Sequence, residues 1–373
     1  MKKSLLYITL MAFLAGPMVD VPVAEASSSS HSQSSKAKAK NGKKLKAKAK
    51  SGAKAKAKAK AKAKKKLKSR KHNKVVARAM TPLRAAGAGA AVTGPVELDL
   101  RSGAAIVVDQ KTGEALYAKN VDIPTPIASI TKLMTAMVTL DAGLPMDEEI
   151  TIGGADVDRL KGTGSRLALG TKLSRGELLH LALIASENRA AAALTRAYPG
   201  GRDAFIAAMN RKAQSIGMRD THFVDGTGLN SSNRATAADL VKMVDAAYRY
   251  PQIREISSTG AYDVGLPARK VVKIKEDGRI RRVTREVTRQ VAFHNTNALT
   301  RSHDWDIGIS KTGYINEAGR CLVMQARISE KPVIIVLLDS WGKWSRIGDA
   351  NRIKQWLERH SQLASHATRQ DSV

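Results

Sequence analysis

The stretch IASITKLMTAMVTLDA, residues 127–142, decides how this 373-residue chain is interpreted. Its apolar residues recur at helical spacing and Gly143 ends the pattern, so it predicts a buried helix. Ser129 stands at the start of this helix and Lys132 follows one turn later, which places their side chains next to each other. A serine hydroxyl becomes a nucleophile when a base takes its proton, and a neutral Lys132 is suited to that task.

Lys132 can act as a base near neutral pH only if its pKa falls well below the ordinary value of about 10.4. Burial lowers the pKa of a lysine, and so does a second cation such as Lys311. Lowering the pKa by about 3 corresponds to roughly 4 kcal/mol. The sequence therefore predicts a dry, preorganised cleft around Ser129.

A Ser-x-Asn motif at residues 186–188 follows the helix, between two helical runs. We expect the Ser186 hydroxyl to pass the proton on to the leaving group. Asn188 is expected to bind the substrate amide or the amine of Lys132. A second copy at residues 231–233 follows a glycine-rich turn and is the competing candidate.

A Lys-Thr-Gly motif at residues 311–313 continues a strand predicted to begin at Trp305. On an edge strand, Lys311 and Thr312 would face a substrate carboxylate. Gly313 would leave room for the ligand backbone, because it has no side chain.

Each motif also occurs where it is not expected to act. Ser35 and Ser51 begin Ser-x-x-Lys in a stretch predicted to be disordered, which cannot hold a nucleophile in place. Ser340 begins another copy directly after a predicted strand, where no helix fixes the pair. The Lys-Thr-Gly copy at Lys111 has the composition of a hairpin turn. Context therefore selects Ser129 as the nucleophile.

The predicted elements bring both ends of the folded part into one sheet. Two strands precede the motif helix, a helical middle follows it, and three strands come late. We expect an α/β fold of the α+β type, in which one sheet is assembled from both ends of the sequence and the helical middle forms a cap or lobe beside it. A basic, strand-prone stretch at residues 270–291 precedes the late strands. The predicted strands cover residues 104–109, 114–119, 305–310, 321–326 and 333–338, and the predicted helices cover residues 127–142, 178–185, 189–198, 202–216, 236–250 and 349–360.

Positive charge is concentrated near the start of the chain. The formal net charge is +30, and residues 1–96 hold 24 Lys and Arg against two acids, which leaves +8 for residues 97–373. Residues 1–26 have the charged start, apolar core and small-residue cleavage site of a secretory signal peptide, with an uncleaved anchor as the alternative. The chain is therefore expected in the periplasm, without a membrane anchor once the signal is cleaved.

Residues 27–96 are rich in Ser, Lys and Ala and contain no acid. Such a segment has little to bury and repels itself, so a disordered basic linker is predicted. It is either a plain spacer or it adheres to an anionic cell-envelope polymer. Nucleic acid is not expected as a partner, because the chain is exported and no base-reading motif accompanies the repeats. Residues 97–360 are then the catalytic domain, and residues 361–373 form a polar C-terminal tail.

The single cysteine, Cys321, excludes a disulfide framework and a cysteine-rich metal site. It lies in a predicted strand and is interpreted as a small core residue. The eight histidines show no metal-ligand spacing. Neither a metal nor another cofactor is expected.

The sequence around the three motifs resembles the low-molecular-mass penicillin-binding proteins, and within them the D-alanyl-D-alanine endopeptidase branch. The resemblance spans residues 97–360, and the basic segment 269–289 departs from it. The matching segments are residues 127–136, 186–192, 221–229 (THFVDGTGL), 293–297 and 311–323 (KTGYINEAGRCLV).

The resemblance implies the fold shared by serine β-lactamases and DD-peptidases, with an antiparallel sheet flanked by helices and a mostly helical region, and an acyl-enzyme mechanism. Ser129 would attack the carbonyl of a D-alanyl bond with Lys132 as general base, and the N–H groups of Ser129 and Tyr314 would form an oxyanion hole. The substrate would be a D-Ala–diaminopimelate cross-link of peptidoglycan, and β-lactams would acylate the same serine. Carboxypeptidase relatives usually carry an extra domain and an anchor helix, so a polar C-terminal end fits the soluble endopeptidase type.

Two alternatives stay open at this point. A D-Ala-D-Ala carboxypeptidase would remove the terminal D-Ala from uncross-linked peptides, and a non-enzymatic cationic protein would bind cell-wall polyanions without chemistry. A class A β-lactamase would need a deacylating Glu in a Glu-x-x-Leu-Asn loop, which this sequence lacks. Slow turnover of penicillin is therefore expected.

Overall fold

The computed structural model describes residues 98–342 and 344–370. The predicted signal peptide, the predicted linker and the motif copies at Ser35 and Ser51 lie outside the described residues. The strands are β1 (Ser102–Asp109), β2 (Ala115–Lys119), β3 (Thr125–Pro126), β4 (Glu149–Thr151), β5 (Lys172–Ser174), β6 (Arg234–Ala235), β7 (Ala261–Glu276), β8 (Arg279–His294), β9 (Asp306–Ile315), β10 (Gly319–Ile328) and β11 (Lys331–Ser340). The helices are α1 (Thr131–Asp141), α2 (Arg175–Ile184), α3 (Asn188–Arg196), α4 (Gly201–Ser215), α5 (Ala237–Tyr248), α6 (Pro251–Ser258) and α7 (Ser345–Gln370).

The main sheet is assembled from both ends of the described chain, which confirms the predicted α+β architecture. Its five strands are antiparallel in the order β2-β1-β11-β10-β9. The late strands are longer than the apolar pattern predicts, because backbone pairing continues past the apolar run. As a result, β9 reaches Ile315 and includes the whole Lys-Thr-Gly motif, and it lies at the edge of the sheet.

Alternate residues of the central strands supply two apolar layers, as expected for a sheet covered on both faces. On one face, Val107 and Ile335 belong to a cluster with Ile353 of α7. On the other face, Ile106 and Val336 join the core of the helical region. Helices therefore flank the sheet on both sides, and α7 continues to Gln370, so the predicted domain end at residue 360 falls inside a helix.

The helical region is built around α1, whose residues from Thr131 to Thr139 are all buried. The Ser-x-x-Glu sequence at residues 174–177 predicts a capping box for α2. It is present: the Ser174 hydroxyl accepts a hydrogen bond from Glu177 N, and the Glu177 carboxylate accepts one from Ser174 N. The short helix α6 was not predicted, although Pro251 at its first turn is a start signal. Among the described residues, no helix combines the length and the apolar character needed to span a membrane.

The basic, strand-prone stretch forms a long two-stranded hairpin of β7 and β8. Sixteen residues of each strand pair in unbroken register, from Ala261 opposite His294 to Glu276 opposite Arg279. The base of this hairpin is packed into the domain, since Val264, Leu266 and Phe293 are buried in the main core.

Candidate active site

Ser129 lies in a single 3-10 turn, Ala128–Ile130, which leads into α1. Ala128 has a φ of 48°, a left-handed conformation that non-glycine residues adopt only under constraint. Two glycines, which have no side chains, allow neighbouring backbone segments to lie against this turn and to hold its conformation. A Cβ on Gly228 would lie 2.0 Å from the Ala128 carbonyl oxygen, and a Cβ on Gly313 would lie 3.2 Å from Ser129 N. The missing side chain of Gly313 thus makes room for the backbone of the serine turn, whereas the sequence suggested room for a ligand.

Lys132 is fully buried directly beside Ser129. Its Nζ lies 2.8 Å from Ser129 Oγ, 2.7 Å from Asn188 Oδ1 and 2.7 Å from the Thr227 carbonyl oxygen. Burial lowers the pKa of Lys132 to about 7, against the opposing pull of the Asp225 and Glu187 carboxylates. Near neutral pH the amine is therefore divided between its charged and neutral forms.

The three neighbours of Lys132 Nζ match the hydrogen-bonding capacity of a neutral amine. A neutral amine has two N–H donors and one lone pair. The carbonyl oxygens of Asn188 and Thr227 can only accept, so they take the two donors. The remaining neighbour is the Ser129 hydroxyl, which is able to donate. Ser129 Oγ lies 2.8 Å from Lys132 Nζ and 3.4 Å from the Thr227 carbonyl oxygen, so a neutral Lys132 is within reach of the proton that a nucleophilic Ser129 has to lose.

Ser186 and Lys311 meet on the opposite side of the cleft. Ser186 sits between α2 and α3 with a φ of 57°, and Lys311 comes from the middle of β9. Lys311 Nζ donates to Ser186 Oγ at 2.9 Å and to the Thr312 carbonyl at 2.9 Å. Burial, followed by repulsion from Lys132 and Arg346, holds the pKa of Lys311 well below its ordinary value. Burial is the largest cause of the lowered pKa of both lysines. Repulsion from neighbouring cations lowers the pKa of Lys311 further, and it is not a cause of the lowered pKa of Lys132.

The predicted Asn188 is held by hydrogen bonds at both ends of its amide. Its Nδ2 donates to Thr163 Oγ1 at 2.9 Å, which turns Oδ1 toward Lys132. The preceding carboxylate, Glu187, accepts a hydrogen bond from Asn188 N at 2.9 Å and also from Ser165 Oγ and Arg166 N. This carboxylate fixes the start of α3 and therefore the position of Asn188.

The edge strand β9 forms the other wall of the cleft, as the sequence predicted. Thr312 Oγ1 donates to Thr296 Oγ1 at 2.6 Å. Tyr314 is half exposed, its hydroxyl donates to Asn316 Oδ1 at 3.1 Å, and the Arg320 guanidinium lies 4.5 Å from its ring centroid. The structure links Ser129, Lys132 and Asn188 in one hydrogen-bonded group and Ser186 with Lys311 in another, and Gly313 lies against the serine turn, whereas Tyr314 contacts Asn316 and Arg320.

A loop inside the matching segment 221–229, to which the sequence analysis assigned no role, supports the base. The buried Asp225 carboxylate accepts hydrogen bonds from the backbone N–H groups of Thr227, Gly228 and Asn230 at 2.6–2.8 Å. This network fixes the Thr227 carbonyl that Lys132 contacts. The only signal in the sequence is the turn-like Asp-Gly-Thr-Gly segment at 225–228, which predicts a turn and no partner.

The competing Ser-x-Asn copy supports the same loop and does not contribute to the cleft. Asn233 is fully buried, and its Oδ1 accepts from Val224 N at 2.8 Å and Asp225 N at 3.1 Å. Its Nδ2 donates to Thr131 Oγ1 at 3.0 Å and to the Asp225 carbonyl at 2.8 Å. All of its amide capacity is used inside the protein.

Arg346 of α7 is a second residue that the sequence did not reveal. Its Nη1 donates to the Gly313 carbonyl at 3.1 Å and to the Cys321 carbonyl at 3.2 Å. The guanidinium therefore fixes the backbone of β9 at the Lys-Thr-Gly motif. Helical periodicity locates α7 but does not show which of its basic residues turns inward.

The other motif copies have structural positions. The copy at Lys111 forms the exposed turn between β1 and β2, where Thr112 N donates to Asp109 Oδ1 at 3.2 Å. Ser340 is buried with its hydroxyl 2.7 Å from Ser102 Oγ. Cys321 is a buried core residue, as predicted, and burial raises the pKa of its thiol to about 11.

Comparisons with known proteins agree with this arrangement. The family model described as D-alanyl-D-alanine carboxypeptidase matches residues 90–342. D-alanyl-D-alanine endopeptidases from Pseudomonas aeruginosa and Escherichia coli are each 43% identical, over 71% and 72% of this chain and 79% and 81% of theirs. The crystal structure of a Streptomyces DD-transpeptidase has a TM-score of 0.60 at 30% identity, covering 71% of this chain and 98% of that one. A penicillin-binding protein of Listeria monocytogenes with bound cefotaxime has a TM-score of 0.57 at 27% identity, covering 70% of this chain and 99% of that one. This chain belongs to the D-alanyl-D-alanine carboxypeptidase family.

Proposed function

We propose that this chain is a serine DD-endopeptidase that hydrolyses D-Ala–diaminopimelate cross-links of peptidoglycan through an acyl-enzyme on Ser129. The observation that carries the proposal is the buried Lys132 amine, whose Nζ lies 2.8 Å from Ser129 Oγ. The choice of cross-links is supported by the endopeptidase names of the two relatives that are 43% identical.

In the acylation step, Ser129 Oγ forms a bond to the D-Ala carbonyl carbon while its proton moves to Lys132 Nζ. The carbonyl oxygen becomes an oxyanion, which the N–H groups of Ser129 and Tyr314 stabilise. Lys311 and Thr312 bind the substrate carboxylate, and Gly313 keeps β9 close to the serine turn. Lys132 becomes positively charged as it takes the proton, which also favours the negative charge that develops in this step.

The leaving amine needs a proton when the peptide bond breaks. Ser186 supplies it and takes up in return the proton that Lys132 received from Ser129, so Lys132 is neutral again before deacylation. Lys311, which donates to Ser186 Oγ at 2.9 Å, holds this hydroxyl in position. Asn188 keeps Lys132 in place throughout. A water molecule then attacks the ester carbonyl and gives its proton to Lys132, and the proton returns to Ser129 Oγ as the C–O bond breaks. The acid product is released and the free hydroxyl of Ser129 is restored. No step of this cycle uses a cofactor.

Penicillins resemble the D-alanyl substrate and acylate the same serine. Since the sequence lacks the Glu-x-x-Leu-Asn loop of class A β-lactamases, the penicilloyl ester is expected to persist. Labelling with a fluorescent penicillin that survives in Ser129→Ala would remove this serine from the mechanism.

The reaction is tested by the products released from defined muropeptides. The proposal predicts that cross-linked dimers are converted to monomers, while uncross-linked pentapeptides keep their terminal D-Ala. Release of D-Ala from pentapeptides with intact dimers would establish the carboxypeptidase alternative. Products in neither assay, with wild-type fold intact by circular dichroism, would leave only the non-enzymatic cationic protein.

The predicted leader at residues 1–26 supports a periplasmic location, where peptidoglycan is accessible. The predicted linker at residues 27–96 is proposed to adhere to an anionic envelope polymer. Deleting residues 36–74 is then expected to weaken retention on sacculi at low salt, where screening is weak, and to leave hydrolysis of soluble dimers unchanged. Equal retention of the deletion variant and the full chain would show that this segment is only a spacer.

A further inference from the structure

The outer part of the β7–β8 hairpin, residues 269–289, forms a strongly basic surface that we name the basic arm. It holds nine Lys and Arg against three acids, a net charge of +6 out of the +8 carried by residues 97–373. None of its side chains is buried. The strand pairing is continuous from Arg269 opposite Glu286 to the tip, so the arm extends as a regular ribbon of about 25 Å.

The charges of the basic arm are mostly uncompensated. Among the described residues, Arg281 is the only arm cation in an ion pair, with Glu276 at 3.4 Å. The register also places cation directly opposite cation, Lys270 against Arg285 and Lys273 against Arg282. Like charges in directly opposite positions destabilise a two-stranded ribbon. Charged side chains also protect open strand edges from pairing with other strands. This role does not explain the two cation pairs, because pairs of opposite charge would protect the edges equally well.

The two cation pairs point to opposite faces of the ribbon. Side chains alternate along a strand, so Lys270 and Arg285 share one face while Lys273 and Arg282 share the other. A flat membrane surface would contact one face only. A polymer with many chains, whose carboxylates approach from several sides, matches a ribbon that is cationic on both faces.

The base of the hairpin leads directly into the catalytic cleft. The Arg166 guanidinium lies 3.6 Å from the ring centroid of Phe293, and its Nη1 donates to the Ala292 carbonyl at 2.7 Å. Two residues beyond β8, Thr296 N donates to the Ile184 carbonyl at 3.0 Å, and its hydroxyl is the partner of Thr312. A polymer held by the arm is therefore held beside the cleft wall.

We propose that the basic arm binds the carboxylates of the same peptidoglycan whose cross-links are cut, and so engages the polymer at a second surface outside the cleft. This inference rests on the proposed function. Each anion that bridges a cation pair removes the repulsion stored in the free ribbon. The expected consequence is that a lower concentration of the intact, polyanionic sacculus gives half-maximal hydrolysis. The hydrolysis of a short soluble dimer is expected to gain nothing from the arm.

The test is a charge reversal of one member of each pair, Lys270→Glu with Arg282→Glu, in the full chain. Both cation pairs become ion pairs, so the arm stays folded and its edges stay charged. The sacculus concentration that gives half-maximal hydrolysis is expected to rise about tenfold at low salt, since all four cations of the two pairs are removed or neutralised and each contributes roughly twofold. The rate on soluble cross-linked dimers is expected to stay within about twofold.

The matched control is Lys111→Glu with Arg211→Glu, which changes the net charge equally at exposed positions outside the arm. Its half-maximal sacculus concentration is expected to change less than twofold. Equal effects in the two variants, or no effect in the arm variant, would overturn the proposal. Loss of binding to anionic phospholipid vesicles without a change on sacculi would overturn it in favour of a membrane.

A pelleting assay separates this proposal from the proposed function. In the Ser129→Ala background, which lacks the nucleophile, the arm variant should bind sacculi about tenfold more weakly than the control variant at low salt. This result does not depend on hydrolysis. Equal affinities would contradict a role of the arm, even if the wild-type enzyme cuts dimers as proposed.

Discussion

Lysines are used in two opposite ways in this protein. In the cleft, Lys132 and Lys311 are fully buried, each contacts defined acceptors, and each has a lowered pKa. In the basic arm, residues of the same charge are exposed and repel one another across the ribbon. Burial turns the amine of Lys132 into a base, whereas exposure leaves the arm cations charged and available to anions. The environment of the side chain, and not its identity, therefore decides its function.

This contrast has an energetic side. A buried lysine with a pKa near 7 lies about 3 below its ordinary value, which corresponds to roughly 4 kcal/mol that the fold has to supply. The Asp225 loop, Asn188 and the tight glycine contacts around Ala128 supply the necessary order. The arm requires no such support, because each of its charges remains hydrated.

The largest expected effect comes from removing the base. Lys132→Met keeps the length of the side chain but has no lone pair for the Ser129 proton. Acylation by benzylpenicillin should fall by about 10³-fold, within the range that general bases contribute. The rate constant is measured from the decay of tryptophan fluorescence or by quenched mass spectrometry. The exposed Lys172→Met is the control, and a similar loss there would break the distinction between buried and exposed lysines.

The pH dependence of acylation gives the next test. Only neutral Lys132 accepts the proton, so the rate should rise with pH through a pKa of about 7 and level off above it. From pH 6 to pH 8 the neutral fraction rises about tenfold, and the acylation rate should follow. A rate that keeps rising beyond pH 9 would contradict a Lys132 pKa of about 7.

The two Ser-x-Asn copies offer a sharper comparison inside the domain. Asn188→Ala removes a partner of Lys132 and should slow acylation by about 10²-fold, the equivalent of one hydrogen bond to a charged group.

Asn233→Ala leaves buried groups of the Asp225 loop without partners and should lower the free energy of unfolding by about 2–4 kcal/mol. Urea denaturation and acylation rates measure both variants. Ser231→Ala, at the partly buried first position of the second copy, should change stability by less than about 0.5 kcal/mol. An acylation defect in Asn233→Ala without a loss of stability would contradict this division.

The smallest effect is expected from shortening the arm. The register places Ala268 opposite Val287, so an Asn-Gly turn can replace residues 269–286 at that pair. Because no arm side chain is buried, the melting temperature and the rate on soluble dimers should change little, by less than about twofold in rate. A large loss of activity on soluble dimers would show that the arm also shapes the cleft.

The sequence predicted the parts of the site that depend on local geometry. Ser129 and Lys132 are three residues apart on one helical turn, and the capping box of Ser174 and Glu177 is equally local. The strand that carries Lys311 and Thr312 was likewise predicted from the apolar pattern that begins at Trp305. These features repeat at short spacing, so periodicity and composition were sufficient.

Features that arise from close approach of distant segments left no such signal. The turn at Ala128 depends on Gly228 and Gly313, which lie far away in the chain. The inward direction of Arg346 is set by the packing of α7 on the sheet. The second Ser-x-Asn motif could be assigned to the Asp225 loop only after the hydrogen bonds of Asn233 were visible. The sequence therefore identified the reacting groups, and the structure was required for the groups that hold them.

The central claim is that Ser129 is the acylated nucleophile because Lys132 takes its proton. Peptide mapping by mass spectrometry after a brief reaction with benzylpenicillin at pH 8 tests it most directly. The account predicts one penicilloyl adduct on the peptide that contains Ser129, absent from Ser129→Ala and strongly reduced in Lys132→Met. An adduct on any other residue, or equal labelling of Lys132→Met and wild type, would contradict it.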